Sequence, residues 1–438
     1  MLTARAPLTR RTTELGLLLL ADVAVVGAYV LASLGRTASI PANAVPFLVA
    51  VLALTMAAHL GTRRLAPDAT PILLPLAALL NGVGWVFIAR LDSHLAALQA
   101  MWTAIGVAVY VATLAVIRPL QVIERYRYLI ALAGIALLLM PLAPKLGQNI
   151  NGARLWVRLG PLTFQPVELA KIALAVFFAS YLVEKRDLLA GPSMRIGNRL
   201  LPDPRPFGPL VLMWAMSMLV MTAERDVGFS LLIFVLFIAL LWIATGRAVY
   251  LGIGAVLFVL GSVAASELFS HVHQRIAVWI NPWPHATSSG YQAVQALYAM
   301  GTGGVAGTGL GLGRPQLIPV VVSDYIFAAI GEELGLMGTT AVLIAFVLLV
   351  GTGLRIALRS RAEFPKLLAA GLTAIVGFQA FFIMAGVVRL LPVTGVTLPF
   401  VAYGGSSLIS NYIIIALLVR LSHEQVSAPA PARQVALA

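Results

Sequence analysis

Twelve apolar runs constrain the fold of this chain more than any other feature. A membrane-spanning helix needs about 17–25 consecutive, mainly apolar residues. Runs close to that length lie at about 14–34, 42–61, 70–90, 97–117, 127–143, 168–183, 207–223, 229–245, 248–266, 336–354, 367–388 and 402–419. Because lipid offers no hydrogen-bond partners, the backbone of each run must satisfy its own polar groups, as a helix does. The pattern therefore predicts an all-α polytopic membrane protein.

The composition agrees with this class and excludes others. The chain of 438 residues is 60% hydrophobic and 11% charged, whereas a soluble domain carries about 25% charged residues. It contains no cysteine, which excludes disulfides and cysteine-based metal sites or nucleophiles. The net charge of +13 is attributed to Lys and Arg residues that hold cytoplasmic loops at an anionic membrane surface. Nucleic acid is not expected as a partner.

Positive charge is distributed unevenly between alternate loops. With the N-terminus inside, the inner segments carry 20 of the 30 Lys and Arg residues and the outer segments carry 9, while Lys171 lies in a span. Since cytoplasmic loops carry the excess of positive charge, both termini are predicted to be cytoplasmic. The longest connection, 268–335, is then a large extracellular loop. The segment 423–438 is rich in Ala and Pro and is expected to be a disordered cytoplasmic tail.

The long outer loop ends in an acidic residue, Asp324, immediately before a span. Ser323 is a reasonable N-cap, and a carboxylate in a first helical turn is stabilised by the helix dipole. Glu332 and Glu333 follow, and three acids at one entry into the bilayer are more than a cap requires. Acids at membrane depth are commonly functional. A helix-start role and a catalytic or substrate-binding role for Asp324 both stay open.

Two further segments place polar residues at the predicted outer rim. Turn signals at Asn151-Gly152 and Gly160-Pro161 predict a short hairpin that carries Arg154. Pro166 predicts the start of the next helix, in which Glu168 and Lys171 share one face at i and i+3. These two residues form either an interfacial ion pair with a snorkelling lysine or part of a watery cavity.

Small polar and aromatic residues complete the set of candidates. Ser406 and Ser407 follow a glycine pair, where they either cap a helix or point into a cavity. Tyr291 suits a membrane interface and equally suits stacking on a sugar. The glycines between 301 and 313 do not form a phosphate-binding motif. They are expected to allow close backbone approach.

Six segments, taken in order, resemble the SEDS family (shape, elongation, division and sporulation), to which RodA and FtsW belong. They read NGARLW, FQPVELAK, ERDVG, GYQAVQALYAMGTGG, SDYIFAAIGEELG and LPVTGVTLPFVAYGGSSL. The resemblance covers about residues 70–420. It implies a SEDS-type bundle of ten transmembrane helices within 67–422. Two extra N-terminal transmembrane helices within 1–66 are similar to those of actinobacterial RodA-type members.

The resemblance also implies an activity. SEDS proteins are peptidoglycan glycosyltransferases that polymerise lipid II on the outer face of the cytoplasmic membrane during elongation or division. They work with a class B penicillin-binding protein. A lipid II flippase is the alternative, although a flippase needs polar groups that traverse the membrane, whereas the candidates here cluster at the outer rim.

Matching the family motifs residue by residue assigns the site. The catalytic acid falls on Asp324, which is expected to be the general base. The arginine, glutamate and lysine of the family's cavity fall on Arg154, Glu168 and Lys171. Gln165, Tyr291, Gln292, Ser406 and Ser407 are further candidate substrate-binding residues. No organic cofactor is implied. The alternative role for Asp324 is to bind a divalent cation such as Mg²⁺ or Mn²⁺ that bridges the substrate phosphates.

Overall fold

The computed structural model describes residues 10–143, 146–150, 153–160, 162–190, 194–196, 199–201, 207–224 and 226–427. These residues form a bundle of α-helices with two small sheets. The helices are α1 Arg10–Thr37, α2 Ala44–Leu65, α3 Leu73–Leu91, α4 Ser93–Val116, α5 Gln121–Arg125, α6 Arg127–Leu139, α7 Val167–Glu184, α8 Arg186–Ala190, α9 Gly208–Glu224, α10 Val227–Thr245, α11 Val249–Leu268, α12 Ser270–Ile280, α13 Tyr291–Gly303, α14 Ile326–Arg359, α15 Glu363–Val387 and α16 Gly405–Ser427.

A helix lies at each of the twelve predicted span positions. Among the described residues, nine helices are long and apolar enough to cross a membrane. The apolar helices α6 and α9 are shorter, and α7 has 18 residues that include Glu168, Lys171 and Glu184. The prediction of an all-α polytopic membrane protein is confirmed. The count of ten plus two crossings stays a prediction.

The hairpin predicted after the fifth run is present in a three-stranded antiparallel sheet. It comprises β1 Gly147–Ile150, β2 Ala153–Leu159 and β3 Leu162–Phe164, in the order β1-β2-β3. Leu159 pairs with Leu162 across the second turn. The first predicted turn, Asn151-Gly152, lies outside the described residues. A second hairpin is formed by β4 Met194–Ile196 and β5 Arg199–Leu201.

Helices α7, α15 and α16 form the centre of the bundle. Most residues of α7 are apolar and buried, and the helix packs against α6, α10 and α15. A helix that is apolar on all sides is stable where other helices cover it. The two N-terminal helices lie at the periphery, with α1 against α3 and α2 against α4, and most of the surface of α2 stays exposed.

Two boundaries differ from the sequence-based predictions. Ser323 is not the N-cap of α14, because the helix begins at Ile326 after Tyr325, and the Ser323 hydroxyl instead donates to the carbonyl oxygen of Val320 at 3.3 Å. The helix bends at Gly335, where φ is 64°. At the other end, α16 continues to Ser427, so the first five residues of the predicted disordered tail are helical. The remainder, 428–438, lies outside the described residues.

Candidate active site

A polar cavity of about 200 Å³ lies between α12, α13, the turn before α14 and the loop after α15. Asp324 lines it, and it is the one carboxylate among the described residues that do so. Two guanidinium groups, Arg275 and Arg389, line the same cavity. Uncharged polar side chains complete the wall, namely Gln274, Ser289 and Gln292. The cavity thus combines one acid with two permanent cations.

The turn before α14 holds Asp324 in place. The backbone N–H groups of Ser323 and Asp324 both donate to the carbonyl oxygen of Val320 at 3.3 Å. The loop after α15 also stabilises this turn, because the Tyr403 N–H donates to the carbonyl of Val322 at 2.8 Å. Burial raises the pKa of Asp324 above its usual range, although the side chain of Ser323 and the charge of Arg275 oppose this effect. A carboxyl with a raised pKa accepts a proton more readily than an ordinary aspartate.

Backbone carbonyls fix the two guanidinium groups. Nη1 of Arg275, on α12, donates to the carbonyl oxygens of Thr394 at 2.9 Å and Val393 at 3.3 Å. Nη2 of Arg389 donates to the carbonyl of Trp279 at 2.8 Å, and the Trp279 indole N–H donates back to the Arg389 carbonyl at 3.1 Å. These contacts orient both cations without neutralising them. An anionic ligand in the cavity would therefore meet fixed positive charge.

Arg275 and Arg389 were not among the site residues predicted from the sequence. Their main-chain partners are more than 100 residues away along the chain, so no local spacing signals the contact. The available signal was weaker. Arg275 is the one Lys or Arg between Phe269 and Gly313, a stretch that otherwise carries no positive charge apart from histidine.

Glu168 and Lys171 lie in a different place. Nζ of Lys171 donates to Glu168 Oε2 at 2.5 Å and to Gln379 Oε1 at 2.7 Å, and the Ser410 hydroxyl donates to the same Glu168 oxygen at 2.8 Å. Both charged side chains are wholly buried. They form an ion pair, but in the bundle centre rather than at the interface with a snorkelling lysine. Neither lines the Asp324 cavity.

The other predicted binding residues are also dispersed. Arg154 is exposed on β2. The backbone N–H of Gln165 donates to the Ser406 hydroxyl at 2.8 Å, while the Ser407 hydroxyl accepts from Thr397 at 2.8 Å. Of the nine residues predicted from the sequence to act in catalysis or substrate binding, the structure brings Asp324 and Gln292 to this cavity. Exposed Tyr291 adjoins Gln292 at the start of α13. The roles of all nine residues stay predictions.

Glu332 and Glu333 do not form an acidic cluster with Asp324. The Glu332 carboxylate accepts the Arg314 backbone N–H at 2.7 Å. The Glu333 carboxylate pairs with Arg90 and accepts the Gly311 N–H at 2.9 Å. Both acids therefore bind the glycine-rich turn. The inference that three acids mark a single site is wrong, because two of them are occupied in folding the loop.

The ion pair in the bundle centre leads to a stability prediction. Replacing Lys171 with methionine should lower the free energy of unfolding by about 3–5 kcal/mol, because the Glu168 charge loses its partner inside the core. The double variant Glu168→Gln/Lys171→Met should recover most of that loss. Thermal unfolding of the detergent-solubilised proteins measures both changes. Equal stability of Lys171→Met and the unmodified protein would contradict the described burial.

The residues around Asp324 show how well this cavity could bind a metal ion. Among the described residues, no group of three or more His, Asp or Glu side chains is placed to hold a metal ion. Gln274, Ser289 and Gln292 offer neutral oxygen atoms that Mg²⁺ or Mn²⁺ accepts. However, two guanidinium groups on the same wall suit an anion better than a cation. A bound cation therefore fits here only together with substrate phosphates, and this role stays a prediction.

Several known proteins are similar to this chain over most of its length. A family model described as a cell cycle protein, FtsW/RodA/SpoVE, matches residues 76–427. The chain belongs to this family. Two mycobacterial relatives are named peptidoglycan glycosyltransferase RodA. The one from Mycobacterium tuberculosis (strain ATCC 25618 / H37Rv) is 41% identical over 95% of this chain and 91% of the relative. The one from Mycobacterium leprae is 41% identical over 97% of this chain and 93% of the relative. A Geobacter sulfurreducens relative named probable peptidoglycan glycosyltransferase FtsW is 34% identical over 70% and 80%.

Solved structures share the fold of this FtsW/RodA/SpoVE member. A structure titled for the coordination of polymerization and crosslinking by a peptidoglycan synthase complex has a TM-score of 0.66 at 23% identity, covering 81% of this chain and 98% of the other. The Thermus thermophilus rod shape determining protein RodA has a TM-score of 0.57 at 24% identity, covering 81% and 96%. These likenesses confirm the SEDS-type bundle.

Proposed function

We propose that this FtsW/RodA/SpoVE member is a peptidoglycan glycosyltransferase that polymerises lipid II on the outer face of the cytoplasmic membrane. The observation that carries the proposal is that Asp324 and Arg275 line the same polar cavity. The names of the mycobacterial and Geobacter relatives support the activity. Both termini are proposed to be cytoplasmic, which places the cavity outside.

The transfer step assigns one task to each charged group. Asp324 takes the proton from the acceptor sugar hydroxyl as the hydroxyl oxygen attacks the anomeric carbon of the donor. The bond between that carbon and the diphosphate oxygen breaks, and the lipid diphosphate leaves with its negative charge. Arg275 and Arg389 stabilise the developing charge, because they are already oriented when it forms.

An apolar groove beside the cavity suits the lipid part of the substrate. This groove, of about 430 Å³, lies among α9, α10, α11 and α12 and is lined mainly by Trp214, Phe234, Leu257, Phe258 and other apolar side chains. Arg275, Leu391 and Val393 line both the groove and the polar cavity. A polyprenyl chain in the groove would therefore place its diphosphate at Arg275. Apolar burial favours such a chain by about 0.8 kcal/mol for each CH₂ group.

A second apolar cavity is less suited to this substrate. It measures about 90 Å³ and lies between α1, α2 and the bundle, with Asp22 and Asn81 on its wall. None of the residues that line it is Lys or Arg. It thus offers no cation to a diphosphate.

The partner proposed for this chain is a class B penicillin-binding protein. One structural relative is titled as a peptidoglycan synthase complex that coordinates polymerization and crosslinking. A glycosyltransferase that makes glycan strands requires a second activity to link them. Purification of this chain from its native membrane should therefore recover a class B penicillin-binding protein, identified by mass spectrometry. Recovery of the chain alone under gentle detergent conditions would oppose this assignment.

The pKa of Asp324 predicts how polymerisation depends on pH. The base must be ionised, so the rate should fall as the pH falls through the raised pKa of Asp324. Removing the Ser323 hydroxyl should raise that pKa further, because this neighbouring polar group favours the charged form of Asp324. Ser323→Ala is therefore expected to move the acidic limb of the pH–rate profile to higher pH. Ser289→Ala, a change on the same wall, should leave the limb in place; a downward shift in Ser323→Ala would refute the assignment.

A further inference from the structure

A second polar cavity lies on another side of α13. It measures about 260 Å³ and is bounded by α13, the glycine-rich turn before α14 and the first turns of α14 itself. An amide, two hydroxyls, a guanidinium and a carboxylate line it, on Gln295, Thr302, Thr308, Arg314 and Glu332. None of these residues acts in the transfer step described above.

The two polar cavities share the helix that separates them. Gln292 and Ala293 line the Asp324 cavity, whereas Gln295 and Ala299 line the second one. Measured along the axis of α13 from Gln292, the second cavity begins about 4.5 Å away at Gln295 and extends to about 15 Å at Thr302. Gln295 is turned by about 300° from Gln292, so the second cavity lies on a neighbouring side of the helix and further towards its C-terminus.

An exposed aromatic ring on the wall of the second cavity contacts a second exposed ring outside it. Tyr298 lines it and is 56% exposed, and Trp283 nearby is 52% exposed. Their ring centroids are 6.0 Å apart. Two large exposed rings beside a set of hydrogen-bonding groups fit a sugar, which presents apolar C–H faces to rings and hydroxyl groups to polar side chains.

The wall opposite α13 is held rigidly. The Thr308 N–H donates to the Glu332 carbonyl at 2.9 Å, and the Gly309 N–H donates to the Glu333 carbonyl at 3.0 Å. The Glu332 carboxylate holds the Arg314 backbone at 2.7 Å. Gly307, where φ is 83°, approaches Glu333 so closely that a side chain would clash. A wall ordered before binding lowers the entropic cost of capturing a ligand.

We propose that the second cavity binds the growing saccharide strand, an N-acetylated glycan with carboxylate substituents. The proposal rests on the glycosyltransferase function and adds a second subsite to it. Tyr298 stacks on a sugar ring, while Gln295 and Thr302 bind its hydroxyl or acetamido groups. Arg314 meets a carboxylate. Strand binding on this side of α13 keeps the chain end beside the Asp324 cavity for the next addition.

The test separates strand binding from bond formation. Tyr298→Ala and Gln295→Ala are each expected to weaken binding of a soluble tetrasaccharide of alternating N-acetylglucosamine and N-acetylmuramic acid by about tenfold. Calorimetry with the purified full chain measures this binding without turnover. The same variants should shorten the glycan products made from lipid II. The rate of the first bond formed should stay within about twofold, because Asp324 is untouched.

A matched control and a second readout keep the proposal falsifiable. Val305→Ala changes an exposed side chain in the same turn that lines neither cavity, and it should leave binding and product length unchanged. Unaltered tetrasaccharide binding in Tyr298→Ala would overturn the proposal. Loss of the penicillin-binding protein with saccharide binding intact would also overturn it and assign the surface to a protein. If the unmodified chain binds the tetrasaccharide but makes no polymer, the glycosyltransferase function fails instead.

Discussion

Replacement of Asp324 with asparagine is expected to lower the rate of lipid II polymerisation by about 10²- to 10⁴-fold, the usual contribution of a general base. The substitution keeps the size of the side chain and removes its ability to take a proton. Thermal stability should be unchanged or slightly higher, because a neutral amide replaces a carboxyl group whose charged form is disfavoured by burial. A gel assay of glycan products and a melting curve on the same preparation measure both quantities.

The control for this variant is Glu267→Gln. Glu267 is an exposed acid at the end of α11, and its neutralisation should not alter the rate. A polymerisation rate in Asp324→Asn equal to that of Glu267→Gln would remove the proposed base. A large loss of thermal stability in Asp324→Asn would assign the residue a structural role.

The second large effect is expected at Arg275. Arg275→Ala should lower the polymerisation rate by about 10²- to 10³-fold, the cost of removing one oriented group that stabilises developing negative charge. Arg275→Lys should recover part of the rate, because lysine supplies the charge but not the planar fork that also holds Thr394 and Val393. Single-turnover kinetics at saturating lipid II separates this effect from a loss of binding.

Two other variants show whether the effect is specific to Arg275. Arg36 is an exposed arginine on the same predicted outer face, and Arg36→Ala should leave the rate unchanged. Lys171 is the buried cation that the family motifs assign to substrate binding. If Lys171→Met abolishes polymerisation in protein that remains folded while Arg275→Ala has full activity, the diphosphate binds at the buried pair and the proposal for Arg275 is wrong.

The parts of the fold that depend on local physics were predictable from the sequence. Helices occur at all twelve apolar runs because the membrane forces each run to satisfy its own backbone. The hairpin at Leu159 and Leu162 follows from its turn residues. Asp324 was identified because it ends the longest predicted loop immediately before a span, and because it lies in the segment SDYIFAAIGEELG, which resembles a family motif. Each of these signals is contained in one continuous segment of the chain.

The arrangement around Asp324 was not predictable, because its contacts join distant segments. The i, i+3 spacing of Glu168 and Lys171 predicts a shared helix face, but their burial depends on Gln379 and Ser410, more than 200 residues further on. Arg275 reaches the site through backbone carbonyls of a loop more than 100 residues away. Because every residue type has a backbone carbonyl, the sequence gives no sign of which residues accept these hydrogen bonds. The sequence therefore identifies the acid but not its cation.

The most direct test of the whole account is polymer formation by the purified chain, with a class B penicillin-binding protein, in vesicles that hold lipid II only in the leaflet next to the Asp324 cavity. The account predicts glycan polymer in these vesicles with no movement of lipid II to the opposite leaflet, and no polymer when Asp324 is asparagine. Movement of lipid II between leaflets without any polymer would contradict the account and establish the chain as a transporter.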